Sequence, residues 1–275
     1  MPTFDPTSGV VDDTISPSAF LRADTLAVTD GTAVSTIADT SGGVAWTQAT
    51  GTKQPLFKTN IFGSKPALRF DGVDDMLART AGAAYNFSTV FILFRVLVAI
   101  TTSTASKSIM GWNGPAGGES FGIDFGNNTG GLTNELVTVQ YIQANRSAYT
   151  LAASTFATAT THMLGTRWDS GTTRYLIYRD GSANVQNAFT GTPSQANSTI
   201  TSVGASPNAE WAINADIGVC LVYATVLTDA QKAAVHSWMQ DVWGATAADY
   251  NSAWAPVKAP PPWDASRPFR HLLVR

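Results

Sequence analysis

Charge is scarce in this chain of 275 residues. Charged side chains make up 13% of it, against about 25% in a typical soluble protein. The 17 Lys and Arg nearly balance the 20 Asp and Glu, leaving a net charge of −3. Such a composition offers no basic face for a phosphate backbone, which argues against nucleic-acid binding. It also lacks the cationic amphipathic character of a bilayer-surface protein. Glutamate is scarcer still, with only Glu119, Glu135 and Glu210. Cys220 is the single cysteine, so an internal disulfide framework and a multi-cysteine metal site are excluded. His162, His236 and His271 are far apart and show no HxxxH or HExxH spacing, which argues against zinc. Long hydrophobic runs are missing too. The longest, residues 90–100, is 11 residues and contains Arg95, whereas a membrane-spanning helix needs about 20. The opening MPTFDPTSGVVDD has no basic stretch followed by an apolar one, so no signal peptide is expected and the product is expected to be soluble and made in the cytoplasm.

What is present reads as strands and turns. The length suits one large β domain, since all-β sandwiches run to about 250 residues as one unit. Apolar and β-branched runs recur between clusters of Gly, Asn, Asp, Ser and Thr. Candidate strands cover 67–70, 90–100, 108–111, 120–125, 136–142, 162–168, 173–179, 198–203 and 217–223. In 90–100 both alternating faces are apolar: Val90, Ile92, Phe94, Val96 and Val98 on one, Phe91, Leu93 and Leu97 on the other. That pattern predicts a central strand covered on both sides, broken only by Arg95. Residues 229–242 read as a helix. Thr228 and Gln231 form a capping box, Gly244 suits the C′ position, and Ala234, Val235, Trp238, Met239 and Val242 share one face. One amphipathic helix after many strands predicts a helix laid on a sheet.

The tail differs in character. Pro256, Pro260, Pro261, Pro262 and Pro268 favour an extended, polyproline-like path. Yet Trp254, Trp263, Phe269, Leu272 and Leu273 are costly to leave in water. Residues 245–275 are therefore read as a docking arm, either for the chain's own domain or for a partner. The expected organisation is an N-terminal extension (1–17), one domain (18–244) and the arm.

Three ordered segments resemble the LamG-like, or concanavalin A-like, lectin jelly-roll family. They are KPALRFDGVDDMLA (65–78), HMLGTRWDSGTTRYLIYRDG (162–181) and ADIGVCLVYATVLTDAQKAAVHSWMQDVWG (215–244). Upstream, SAFLRADTL (18–26) and ADTSGG (38–43) look like the family's opening elements. The resemblance implies an all-β sandwich jelly roll with one C-terminal helix, and broadly a carbohydrate or surface ligand. It also raises calcium, which such domains often hold with loop Asp and Asn oxygens. Asp124, Asn127 and Asn128 are candidate calcium ligands, hard oxygen donors that suit this ion. Asp71, Asp74 and Asp75 are a second cluster, better read as turn chemistry.

Glycoside hydrolysis needs two carboxyl groups about 5–5.5 Å apart for retention, or wider for inversion. The E-x-D-x-x-E pattern of jelly-roll glucanases is absent, and no Glu has an acidic neighbour at i+2. No G-x-S-x-G elbow or P-loop occurs either. His162 reads as a rim or turn residue, His236 as an exposed or boundary position, and Cys220 as a small buried hydrophobe. Sugar sites combine aromatic platforms with amide and charged hydrogen-bonding groups. Trp112, Asn113, Asn127, Asn128, Arg146, Tyr149 and Trp211, in apparent loops, are the candidate ligand contacts.

The resulting expectation is a non-enzymatic virion structural protein of a bacteriophage: a capsid decoration, head fibre or tail-associated protein displaying a lectin-like domain to host-surface glycans. Its partners would be other virion proteins, as a homo-oligomer or as lattice-arrayed copies. Nucleic acid and membrane insertion are not expected. The alternatives are a bacterial carbohydrate-binding module, which would carry a secretion signal or a catalytic domain, and, less favoured, a glycan-cleaving enzyme.

Overall fold

The computed structural model describes residues 2–80, 87–101, 107–113, 119–125, 137–141, 145–149, 155–169, 174–179, 182–184, 200–207 and 211–244. The strands begin with β1 (Ala19–Arg22), β2 (Thr36–Ile37), β3 (Trp46–Thr47), β4 (Leu56–Phe62), β5 (Lys65–Asp71) and β6 (Leu77–Thr80). Next come β7 (Thr89–Val96), β8 (Ile100–Thr101), β9 (Lys107–Asn113), β10 (Glu119–Phe125), β11 (Val137–Tyr141) and β12 (Asn145–Tyr149). The chain continues through β13 (Thr155–Phe156), β14 (His162–Asp169), β15 (Arg174–Arg179), β16 (Ser182–Asn184), β17 (Ile200–Val203) and β18 (Asn214–Tyr223) to helix α1 (Asp229–Trp243).

Two large antiparallel sheets result, beside a two-stranded one of β8 and β13. The first has the order β16-β15-β14-β7-β18-β5-β4, with β1 also paired to β18. The second has the order β12-β11-β10-β9-β17-β6-β3-β2. This is the all-β sandwich jelly roll with one C-terminal helix that the motifs implied. Neighbours far apart in sequence, such as β5 beside β18, show why the fold cannot close until the last strand is made.

The alternation in β7 accounts for the layering. Val90, Ile92, Phe94 and Val96 point between the sheets, into a core with Leu68, Phe70, Ile123, Ile217 and Val222. Phe91 and Leu93 point the other way, into a second core beneath α1. A strand covered on both faces is apolar on both. The expected run to residue 100 is shorter in the structure. β7 ends at Val96, Ile100 starts β8, and Val98, expected on a covered face with Val96, is exposed.

The capping box forms as the sequence implies. Gln231 N–H donates to Thr228 Oγ1 at 3.3 Å, and Thr228 N–H donates to Gln231 Oε1 at 2.9 Å. Gly244 closes the helix at φ 63°. The buried face is rotated from the expected one. Val235, Trp238 and Met239 are buried, but Val242 is exposed and Trp243, Ala233, Lys232 and His236 are buried instead. The larger Trp243 surface takes the contact, edge-on to Phe62 at 6.2 Å. The boundary position assigned to His236 is therefore corrected to a buried one. His162 is likewise no rim residue: it is buried beside Phe94 and Phe156, with ring centroids at 5.8 and 4.8 Å. Cys220 is buried between the sheets, and burial raises its thiol pKa far above the usual range.

Residues before β1 pack on the helix. Phe4 lies 4.8 Å from Trp238, Tyr223 Oη donates to Gly9 O at 2.7 Å, and Gln231 Nε2 donates to Asp12 Oδ2 at 2.8 Å.

Candidate functional site

One end of the sandwich concentrates mixed chemistry. There residues 204–207 and 211–214, between β17 and the start of β18, are pinned on three sides. Ser108 N–H donates to Trp211 O (2.6 Å), Ile213 N–H to Gly204 O (2.9 Å) and Leu97 N–H to Asn214 O (2.9 Å). Gly204 has φ +93°, and a Cβ there would stand 2.0 Å from the Phe70 ring. Only glycine allows this close approach. Trp211 also has a positive φ, 56°, and is half-buried.

A cavity of about 190 Å³ opens at this end. Its apolar wall is Val98, Ala99, Ile100 and Ile213, and its polar groups are Asp71, Lys107 and Asn214. Val98 in the wall is 59% exposed, and Val73, next in sequence to the lining residue Gly72, is 74% exposed. A concave, mostly apolar surface with a few converging polar groups is the usual form of a small-ligand site.

The β5–β6 turn forms the acidic rim. Asp71 Oδ1 accepts from Val73 N–H at 2.8 Å and Asp74 N–H at 3.4 Å. Asp75 Oδ2 accepts from Asp71 N–H at 3.0 Å. This is the turn chemistry that the sequence favoured. The three residues can also bring one carboxylate oxygen each within 4.8 Å of one another, a donor set of the kind hard cations take. Burial, together with the charges of Asp71 and Asp74, pushes the Asp75 carboxyl up to about 6, against the pull of the Asp71 N–H.

The structure separates the residues named from sequence. Trp112 and Asn113 are not in a loop; they end β9, with Trp112 paired to Phe121 and Thr201. Arg146 and Tyr149 belong to β12, paired to Gln140 and Val137. Polar residues hid this strand, which forms because the Val-rich β11 gives it a partner. Trp112 lies five residues from Lys107 along β9, a span of about 17 Å at strand rise. Tyr149, by contrast, shares a cross-sheet row with Val137, Phe125 and Lys107, three strands from the cavity. Trp211 lies two residues before Ile213 of the cavity wall but does not itself line the cavity. Asp124 sits inside β10 and is buried, while Asn127 and Asn128 lie outside the described residues. The arm residues Trp254, Trp263, Phe269, Leu272 and Leu273 lie outside them as well. Lys107 and Asn214 escaped the sequence reading because neither carries a motif; the pinning of residues 211–214 alone brings them together.

No protein-family model matches the chain, and no curated protein sequence is similar to it. Solved structures are similar. A Trypanosoma rangeli sialidase in complex with sialic acid superposes with a TM-score of 0.51 at 11% identity, covering 83% of this chain and 33% of that one. The botulinum neurotoxin serotype D binding domain gives 0.52 at 11% identity, covering 80% and 51%. A point mutant of HCR/D gives 0.53 at 11% identity, covering 80% and 52%. The chain thus spans about a third of the sialidase and about half of the other two. At this identity the likeness concerns the fold alone: the chain is an all-β sandwich jelly roll.

Proposed function

We propose that this chain is a non-enzymatic, lectin-like domain that binds host-surface glycans through the end cavity, and that it does so as a bacteriophage virion protein. The cavity carries the reading. It offers an apolar wall for a sugar ring, an amide at Asn214, and charged partners at Asp71 and Lys107 for hydroxyl groups. The sparse charge and the lectin-like motifs support display on a larger assembly. The role would be capsid decoration, head fibre or tail attachment, with residues 245–275 docking to other virion proteins. Among the described residues no helix is long and apolar enough to cross a membrane.

A glycan array with the full chain, with and without calcium, tests the binding reading. Retention of a glycan set by the wild type and its loss in Asn214→Ala supports it; an array blank in both conditions sinks it. Banding of the chain with particles in a density gradient tests the virion assignment, and a chain that stays free at the top of the gradient rejects it.

One observation favours a glycan-cleaving reading. A carboxyl with a pKa of about 6 beside other carboxylates is the usual pairing of general acid and partner. Yet Asp75 is absent from the cavity wall, and Asp71 Oδ1 already accepts two N–H groups of its own turn, which leaves Oδ2 for a hydroxyl but no carboxyl pair across the cavity. Hydrolysis of an array glycan that Asp75→Asn abolishes would restore the enzyme.

A further inference from the structure

Arg95 is the residue that interrupts the apolar pattern of β7. The structure shows where it goes. Arg95 and Arg69 face each other across β18 and share the carboxylate of Asp216, which stands directly opposite both in register. Arg69 donates from Nε to Oδ1 at 2.7 Å and from Nη2 to Oδ2 at 3.0 Å. Arg95 donates from Nη2 and Nε to Oδ2 at 2.7 and 3.2 Å. Asp216 is fully buried, while Arg69 and Arg95 keep 32% and 19% of their side chains exposed.

One guanidinium would neutralise Asp216. Two leave a positive charge over, and the Nη1 donors of both arginines have no partner among the described residues. The other carboxylate acting on Arg69 is Asp30, which is already held by Lys58 Nζ at 2.5 Å. The shared carboxylate fixes both forks before any ligand arrives, which lowers the ordering cost of binding. Rigid guanidinium forks match oxyanions in geometry and charge.

The position is as telling as the charge. Asn214 lies on the same strand as Asp216 and on the same face, two residues earlier, about 7 Å away at strand rise. Asn214 lines the cavity. A sugar ring seated there would place a substituent over the arginines.

We propose that Arg69 and Arg95 form an oxyanion site contiguous with the end cavity, and that the preferred ligand is an acidic sugar bearing a carboxylate or sulfate. This rests on the glycan reading above and names its ligand class. The test is ligand-observed NMR titration of the full chain at fixed ionic strength. The probes are methyl glucoside, methyl glucuronide, glucose 6-sulfate and inorganic sulfate. Hydrogen bonds to charged groups predict that an acidic sugar binds at least about ten-fold tighter than the glucoside. Arg95→Gln and Arg69→Gln should each bring that ratio near one and leave glucoside binding unchanged. Each variant leaves Asp216 with one cation. Should either fail to fold, Arg95→Lys and Arg69→Lys keep the charge and lose the fork, and the ratio should still fall. Equal affinity for neutral and acidic sugars in the wild type overturns the proposal, as does a ratio that survives the variants. Sulfate binding abolished by Arg95→Gln, with no sugar bound, keeps the oxyanion site and sinks the glycan reading. No binding of any probe overturns both.

Discussion

Asp39 and Arg79 form an ion pair 2.7 Å long with both side chains closed off from water. Asp39 Oδ1 also accepts from Phe20 N–H at 3.0 Å and Ser41 N–H at 2.9 Å, and Arg79 Nη1 donates to Ser18 O at 2.7 Å. The pair therefore fastens β1, which belongs to the first sheet, to β6 of the second. Removing one partner strands a buried charge. Asp39→Ala or Arg79→Ala should each cost about 3–5 kcal/mol, read as a lower midpoint in urea unfolding. The joint replacement Asp39→Leu with Arg79→Met should cost less than either single change, because no charge is left unpaired.

The ADTSGG segment resembles an opening element of the LamG-like family, but its task was not legible. Nothing local pairs Asp39 with a residue 40 positions on. The same division runs through the molecule. The 229–242 helix was readable because Thr228, Gln231 and Gly244 act within a few residues. The two faces of β7 were readable because alternation is local. The packing of Phe4 on Trp238, the β12 pairing and the cavity were not, since each depends on which strands become neighbours. Of the cavity's lining, Asp71 was read only as a turn residue, and Lys107 and Asn214 carried no signal.

Gly72 gives a direct test of the cavity. It sits at φ +80°, and a Cβ would stand 2.8 Å from Asn214 Cβ. Gly72→Ala should destabilise the fold by about 1–3 kcal/mol from the strained backbone and displace Asn214. The expected result is a lower melting temperature, with glycan retention weakened more than in a stability-matched variant elsewhere.

Asp75 should make stability fall as pH rises from about 4 to about 6. Its folded pKa is about 6 against an ordinary 3.8. Between those values the unfolded chain has lost a proton that the folded chain still holds, so ionisation favours unfolding. Above pH 6 the penalty is complete. Asp75→Asn keeps an acceptor for Asp71 N–H and should flatten this slope in urea melts across pH 4–7. An unchanged slope would show that the carboxyl is not held protonated.

Lys232 should act at the other end of the scale. It is buried against Tyr178, with Nζ 3.1 Å from Tyr178 Oη and 2.6 Å from Asp229 Oδ1. Burial, helped by Arg167, lowers its pKa to about 8 despite Asp229. From pH 8 upward the folded chain releases a proton that the unfolded chain keeps until about 10.5, so stability should rise with pH. The window to read is pH 8 to 9.5, and Lys232→Met should remove the rise.

The arm yields the last prediction. Trp243, at the end of α1, is fully buried, and Gly244 N–H closes the helix on Gln240 O at 3.1 Å. Among the described residues, those up to Trp243 already build both cores. A chain truncated after Gly244 should therefore unfold cooperatively, with a midpoint close to that of the full chain. If the aromatic and proline-rich segment serves docking, the truncated domain should still bind glycan but fail to band with particles in a density gradient. Loss of cooperative unfolding on truncation would instead make residues 245–275 part of the core. A truncated chain that still joined particles would move the docking surface onto the sandwich itself.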